Sequence, residues 1–345
     1  MTTEQRQLTF HLYPSVGEED WRYTFATAKV RALATQMLSD GDVADMVNAA
    51  DFESALSVLD STEYALTEGG KSMADMEELL LRRRSEVRKL FADLMVDESL
   101  AGALRVREDF ANMRLAVRRT VTDRPIGTDY SDGGSIAPEN FEEIFEQENY
   151  ALLPEPMQEA VEEAVLAYYE NKDIRQIDYA IDRVQTAYRL RLAEELGSAF
   201  LLELFRMQID LTNIGTMLRL KFRESEERDV FLEGGYVQIA LLKHCLDVGY
   251  EMVGAMFAVT PYSKLVEEGV AYLQANGSFS KLEQGCDEHL GGYLKSTNII
   301  TAGPQPVIAY LLMKENEIRT VRLILTAKKN QLDTSLISAR VREYE

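Results

Sequence analysis

Four residues have the types and spacing to hold a metal ion: His244 beside Cys245, and Cys286 with His289 three positions on. Cys286-x-x-His289 places two soft ligands on one helical face, and a zinc ion there would make a metal-dependent enzyme. Neighbours on a helix point about 100° apart, so His244 and Cys245 do not aim at one ion. Buried cysteines ordinarily serve as small apolar residues, and no metal is expected. Asp109 with Asn112 has the groups of an acid/base pair, but it recurs as Asp210 with Asn213 and, altered, as Glu317 with Thr320. A polar pair repeated beside an apolar stripe reads more simply as structural, each side chain bonding a neighbouring helix and fixing its register. No catalytic residue is expected among them.

Other chemistries lack their residues. Neither GxxxxGK[ST] nor GxGxxG occurs, so no glycine-rich loop cradles a nucleotide. The three histidines, His11, His244 and His289, have no glutamate three residues before them, which removes the Glu-x-x-His pairs of carboxylate-bridged metal sites. No cofactor is expected.

The polar pairs sit on a helix written three times. Ala103, Val106, Phe110, Met113 and Val117 advance by three and four residues along one helical face. A shift of 101 returns the stripe as Leu204, Met207, Leu211, Ile214 and Leu218, and a further 107 returns Leu311, Lys314, Ile318, Val321 and Leu325. Arg118 matches Arg219, while the third copy has Thr326. Gly133-Gly134 and Gly234-Gly235 keep the same 101-residue register. Tyr64, Tyr188 and Tyr293 are further candidates for equivalence, although their distance from each repeat helix varies. A period of about a third of the chain means repeated domains rather than a short-repeat solenoid. The expected segments are 1–130, 131–230 and 231–345.

Composition narrows the class. Apolar residues make up 46% of the 345, with only 8 prolines, and runs of alternating β-branched residues are missing, so the fold is expected to be all-α. The formal charge of −21 disfavours nucleic acid and anionic lipid as partners. No apolar run reaches the roughly twenty residues of a membrane span, and the start lacks a basic flank followed by an apolar stretch. A soluble, cytoplasmic chain is expected, with two cysteines that suit a reducing compartment.

Along the chain, helices are expected over Tyr23–Leu38, stopped by Ser39-Asp40-Gly41-Asp42, and over a short segment capped by Asp51. A long helix Ser72–Val96 follows, whose basic run Arg82-Arg83-Arg84 and Arg88-Lys89 pairs along its own face with Glu77, Glu78 and Glu86. The repeat helix Ser99–Val121 leads to a loop over 122–138. Pro154 and Pro156 are expected to break the second copy near its start, Gly197 to kink the chain before its repeat helix, and Ser280 to cap a helix before Leu282. A terminal helix is expected over Thr334–Tyr344.

Ala28-Lys29-Val30-Arg31-Ala32-Leu33, the Asp-x-x-Asn helices of the first two copies, and Lys314-Glu315-Asn316-Glu317-Ile318-Arg319 with Lys328-Lys329 resemble the C subunit of the archaeal and bacterial V/A-type rotary ATPases, the counterpart of the eukaryotic d subunit. Two departures stand out: the family pattern has arginine where Lys29 stands and glycine where Gln331 stands. The resemblance implies a funnel of three similar multihelical domains in a pseudo-threefold arrangement, without an active site. It implies a central-stalk rotor connector between the axle subunits of the D and F type and the membrane proteolipid ring, peripheral at the cytoplasmic face. With −21 charges the chain should not adhere to lipid directly, and ring surfaces that meet it are expected to be net basic. A helical adaptor unrelated to ATPases is the alternative that repeats alone would equally suit.

Overall fold

Among the described residues the first helical turn is a single 3-10 turn (Trp21–Tyr23), capped by Asp20, that runs into α1 (Thr24–Ala34). The structure is a computed structural model and describes residues 13–66, 72–122 and 130–341. His11, residues 123–129 of the expected loop 122–138 and the last residues of the expected terminal helix lie outside that set. No strand occurs among the described residues, and the chain is all-α. It folds as two compact units, Asp97–Leu246 and, from both sides of it in sequence, Met1–Val96 with Asp247–Glu345.

In the discontinuous unit α1 ends at Ala34, earlier than the expected Leu38, with the Thr35 hydroxyl bonded back to the carbonyl of Ala32 at 2.7 Å. Ser39-Asp40-Gly41-Asp42 does not merely halt a helix. Ser39 and Asp42 form a capping box that starts α2 (Asp40–Asn48), because each side chain accepts the other's backbone N–H. Asp51 accepts from the Ser54 N–H at 2.8 Å and opens α3 (Phe52–Val58), as expected. A second capping box, Ser72 with Asp75, opens α4 (Met73–Leu94).

The contiguous unit holds α5 (Glu98–Val121), α6 (Pro138–Glu146), α7 (Glu155–Asn171), α8 (Arg175–Glu195), α9 (Ala199–Phe222) and most of α10 (Ile239–Asp247). Phe110, Met113 and Val117 of α5 pack with Phe141 and Phe145 of α6 and with Ile177 and Ile181 of α8 in one core. The two prolines fall where α7 starts, so the break expected near them is the gap between the preceding 3-10 turn and α7. Pro154 is its N-cap and Pro156 lies in its first turn, where a missing N–H costs nothing. Gly197 takes a left-handed φ of 61° in the turn between α8 and α9, which ends one helix rather than kinking a continuous one.

The discontinuous unit resumes with α11 (Tyr250–Met256), α12 (Ser263–Asn276), α13 (Ser280–Ser296), α14 (Pro304–Lys329) and α15 (Thr334–Ser338). Phe279, not Ser280, occupies the N-cap position of α13, with no side-chain capping bond; the Ser280 N–H is taken by Ser278 Oγ at 3.3 Å. α15 stops at Ser338, short of the expected Tyr344. Ile318, Val321, Ile324 and Leu325 of α14 bury among Met46, Phe52, Leu56, Met76 and Leu80 from the N-terminal helices. Each such side chain contributes about 1.5–3 kcal/mol by leaving water.

The basic run of α4 divides its pairings: Arg82 and Arg83 meet Glu86 along their own helix, as expected, and Arg84 and Arg88 cross to α14. Arg84 and Arg88 meet Glu315 of α14, Glu77 meets Arg322, and Arg83 grips the carbonyl of Glu63 as well as Glu86. Gln331, where the family pattern has glycine, adopts φ 54°, the left-handed conformation that glycine takes most easily.

Candidate functional site

The buried polar groups of the repeat helices are the chemistry the chain concentrates inside itself. Asp109 on α5 is buried, and one of its carboxylate oxygens accepts the backbone N–H groups of Ser135 (2.8 Å) and Ile136 (3.0 Å), just ahead of α6. Asp210 on α9 accepts those of Tyr236 (3.1 Å) and Val237 (2.9 Å), just ahead of α10. The partners lie 26 and 27 residues downstream in both cases.

One turn along, the asparagines make a two-way amide clamp. Asn112 donates to the carbonyl of Ser131 and accepts its N–H, both at 2.8 Å, and Asn213 does the same with Leu232 at the same two distances. The separation is 19 residues each time. The glycines explain themselves in this geometry. A Cβ on Gly134 would stand 2.2 Å from Asp109 Oδ1, and one on Gly235 would stand 2.2 Å from Asp210 Oδ1, so only a bare backbone lets the carboxylate in. Burial holds the Asp109 carboxyl above the ordinary carboxylate range, while the two backbone donors pull it back down.

Glu317 of α14 stands at the third register position, and its partner comes from the other end of the chain. One carboxylate oxygen accepts the Leu38 N–H at 2.7 Å, just ahead of α2. The other accepts the Tyr64 hydroxyl at 2.6 Å. Lys314, whose residue is 1% exposed, pairs with both Glu63 and Glu317 and compensates the buried negative charge. Burial, then the neighbouring Glu317, drives the Tyr64 phenol far above its usual titration range, and burial pushes Tyr310 up to about 12. Thr320 makes no clamp like those of Asn112 and Asn213; its hydroxyl bonds back to the Asn316 carbonyl of its own helix.

Other sequence candidates fall into place locally. Arg118 pairs with Asp178 of α8 and Arg114 with Asp182. The Arg219 guanidinium approaches Gly215 on its own helix so closely that a Cβ there would meet Nη1 at 2.9 Å. The three tyrosines have different surroundings: Tyr64 reaches Glu317, the Tyr188 ring lies 6.4 Å from that of Phe110, and Tyr293 lies 5.9 Å from Tyr13.

His244 and Cys245 lie on α10, and Cys286 with His289 on α13. Among the described residues no group of three or more His, Cys, Asp or Glu is placed to hold a metal ion. Burial pushes the Cys245 thiol up to about 11 and holds His289 down at about 4. The His289 ring packs 4.9 Å from that of Tyr262 and 5.2 Å from that of Tyr13, whose hydroxyl donates to the His289 carbonyl at 3.0 Å. Sequence reasoning missed Glu63, Leu38 and Lys314 as members of the polar network. The signal for Lys314 was present, as the one charged residue in an otherwise apolar stripe.

Such an architecture, in which buried carboxylates and amides fasten long helices to the backbone ahead of shorter ones, is that of an all-helical protein. No helix among the described residues is long and apolar enough to cross a membrane. The chain belongs to the ATP synthase (C/AC39) subunit family, whose model matches residues 26–340. It is similar to the V-type sodium ATPase C subunit of Enterococcus hirae, 25% identical over 321 residues that take in 91% of this chain and 96% of the relative. It is also similar to the A-type ATP synthase C subunit of Thermococcus kodakarensis, 22% identical over 349 residues (94% and 92% of the two chains), and to that of Thermococcus onnurineus, 21% over 320 residues (88% and 86%). Family membership sets aside the helical adaptor unrelated to ATPases.

Proposed function

We propose that this chain is a non-catalytic central-stalk connector of a V/A-type rotary ATPase, coupling the axle subunits of the D and F type to the membrane proteolipid ring during ion transport. The observation that carries the reading is the recurring fastening at Asp109, Asp210 and Glu317. In each a carboxylate on a long helix holds the backbone just ahead of a nine-residue helix: α6, α10 or α2. A connector that passes torque needs stiffness more than affinity, and interior hydrogen bonds between long helices and the segments they hold supply it.

The same recurrence supports an internal triplication into segments 1–130, 131–230 and 231–345. In this reading α2, at the start of the chain, stands to α14 as α6 stands to α5. Attachment at the cytoplasmic face of the membrane comes from protein contacts within the complex. The names of the relatives, the C subunits of a V-type sodium ATPase and of A-type ATP synthases, support the same assignment.

Affinity purification of the full-length protein from native membranes, with identification of what accompanies it, tests the reading. The axle subunits and the proteolipid ring are expected. In membranes depleted of this chain, ATP hydrolysis should persist while ion translocation is lost; full translocation without it would end the proposal.

A further inference from the structure

α5 and α8 run antiparallel and are joined by charge. Arg118 meets Asp178, and one turn away Arg114 meets Asp182, so a step back along one helix is an equal step forward along the other. Continuing that register by seven residues, two turns on the same helical face, sets Arg107 of α5 opposite Arg189 of α8. Phe110 lies against Tyr188 between these rungs, with ring centres 6.4 Å apart, and keeps the alignment. The third rung therefore faces a cation with a cation. Among the described residues neither arginine has a carboxylate partner. Arginines that cross between helices in the other unit do find acids: Arg84 and Arg88 meet Glu315, and Arg322 meets Glu77.

Arg189 is held in place without a counter-charge. Its guanidinium carbon lies 3.9 Å from the centre of the Phe205 ring, and Nη2 donates to Gln208 Oε1 at 2.9 Å, both residues being on α9. Its Nε is buried and has no hydrogen-bond partner. Burial, then the charge of Arg107, pulls the Arg189 guanidinium down from its ordinary range to about 9, so it is still cationic at neutral pH. Arg107 is exposed, which leaves the rung open to solutes. Two guanidinium forks match both the charge and the oxygens of a doubly charged tetrahedral anion, whereas a carboxylate would leave the rung net positive.

We propose that the Arg107–Arg189 rung between α5 and α8 is a binding site for a phosphate group, either free phosphate or the terminal phosphoryl group of a nucleotide. The anion takes the free Nε–H of Arg189 and a fork of Arg107, and closes the third rung as Asp182 and Asp178 close the other two. Every residue involved belongs to the contiguous unit, and the inference does not depend on the connector function.

The full-length protein is titrated calorimetrically with sodium phosphate, ADP and sodium acetate in a phosphate-free buffer at constant ionic strength. Phosphate should bind one to one and raise Tm above its value in sodium chloride of the same ionic strength. Arg107→Asp places an acid opposite Arg189, as in the other two rungs. It should raise the Tm of the phosphate-free protein and weaken phosphate binding about tenfold or more, the effect of losing one hydrogen bond between charged groups. Arg107→Ala should weaken binding as much. Arg107 is exposed, and unchanged circular dichroism of both variants confirms that they fold. Lys264→Ala, at an exposed cation of α12 in the other unit, should leave binding unchanged. ADP binding that Arg107→Asp abolishes assigns the site to nucleotide phosphoryl groups, and phosphate binding without ADP binding assigns it to the free anion. Three results overturn the proposal: neither phosphate nor ADP binds, Arg107→Asp binds as the parent does, or acetate binds more tightly than phosphate, which would give the rung to a carboxylate. Co-purification with the axle subunits and the ring is a separate measurement, so the connector function stands or falls without this site.

Discussion

The phenol of Tyr64 donates to Glu317 across 2.6 Å although 253 residues separate them in the chain. Together with the Leu38 N–H on the other oxygen and Lys314 alongside, it fastens the N-terminal helices to α14. Tyr64→Phe removes a buried hydrogen bond to a charged acceptor and should cost about 1.5–3 kcal/mol. Lys314→Met leaves Glu63 and Glu317 without their cation and should cost about 3–5 kcal/mol. Urea denaturation of the two variants checks both figures. A Tyr64→Phe protein as stable as the parent would remove the fastening from the account.

Gly134→Ala and Gly235→Ala should each destabilise by about 2 kcal/mol or more, because the added Cβ meets an aspartate oxygen at 2.2 Å. Combined with Asp109→Ala or Asp210→Ala respectively, each penalty should shrink, since the obstructing oxygen is gone; a double-mutant cycle measures that coupling. Gly102→Ala in α5 meets nothing within 4 Å and should instead stabilise by about 0.5–1 kcal/mol.

The clamps separate the first two copies from the third. Asn112→Ala and Asn213→Ala each lose a donor and an acceptor bond to backbone and should cost about 1–3 kcal/mol. Thr320→Ala, which loses only a bond within its own helix, should stay within about 0.5 kcal/mol of the parent. Thermal denaturation of the three proteins side by side gives the comparison.

Stability should depend on His289 in mild acid. Its folded-state pKa, held down at about 4 by burial, lies below the ordinary value of 6.5. Between those values the unfolded chain binds the proton first. The stability associated with this group is therefore whole above pH 6.5 and is lost as pH falls towards 4, at up to about 1.4 kcal/mol per pH unit. His289→Gln should flatten this part of the pH profile. Denaturation midpoints of both proteins through that pH range test it, and parallel profiles would show that the ring does not contribute.

Much of this network was legible because it is local. Asp109 and Asn112 keep a 101-residue register with Asp210 and Asn213, and their partners lie within 27 residues downstream, so a motif could be copied whole and seen as such. Glu317 kept the register too, but its partner Leu38 is 279 residues away and nothing in spacing announces it. Ser39 illustrates a different limit: the residues that end one helix are chemically those that begin another, and only the backbone between Ala34 and Asp40 tells the two apart. The arginines of α4 were assigned to glutamates of their own helix because sequence distance is all that a single chain displays, whereas Glu315 offered Arg84 and Arg88 a partner from α14.

The discontinuous unit sets a timetable for synthesis. Residues Asp97–Leu246 leave the ribosome as a complete unit and can fold while translation continues. Leu38, Tyr64 and the apolar faces of α2, α3 and α4 emerge before them, yet their acceptor, Glu317, and the α14 residues they bury against are translated last. Nascent chains arrested anywhere short of α14 therefore carry an unsatisfied N-terminal segment, and they are the species on which a chaperone should be found.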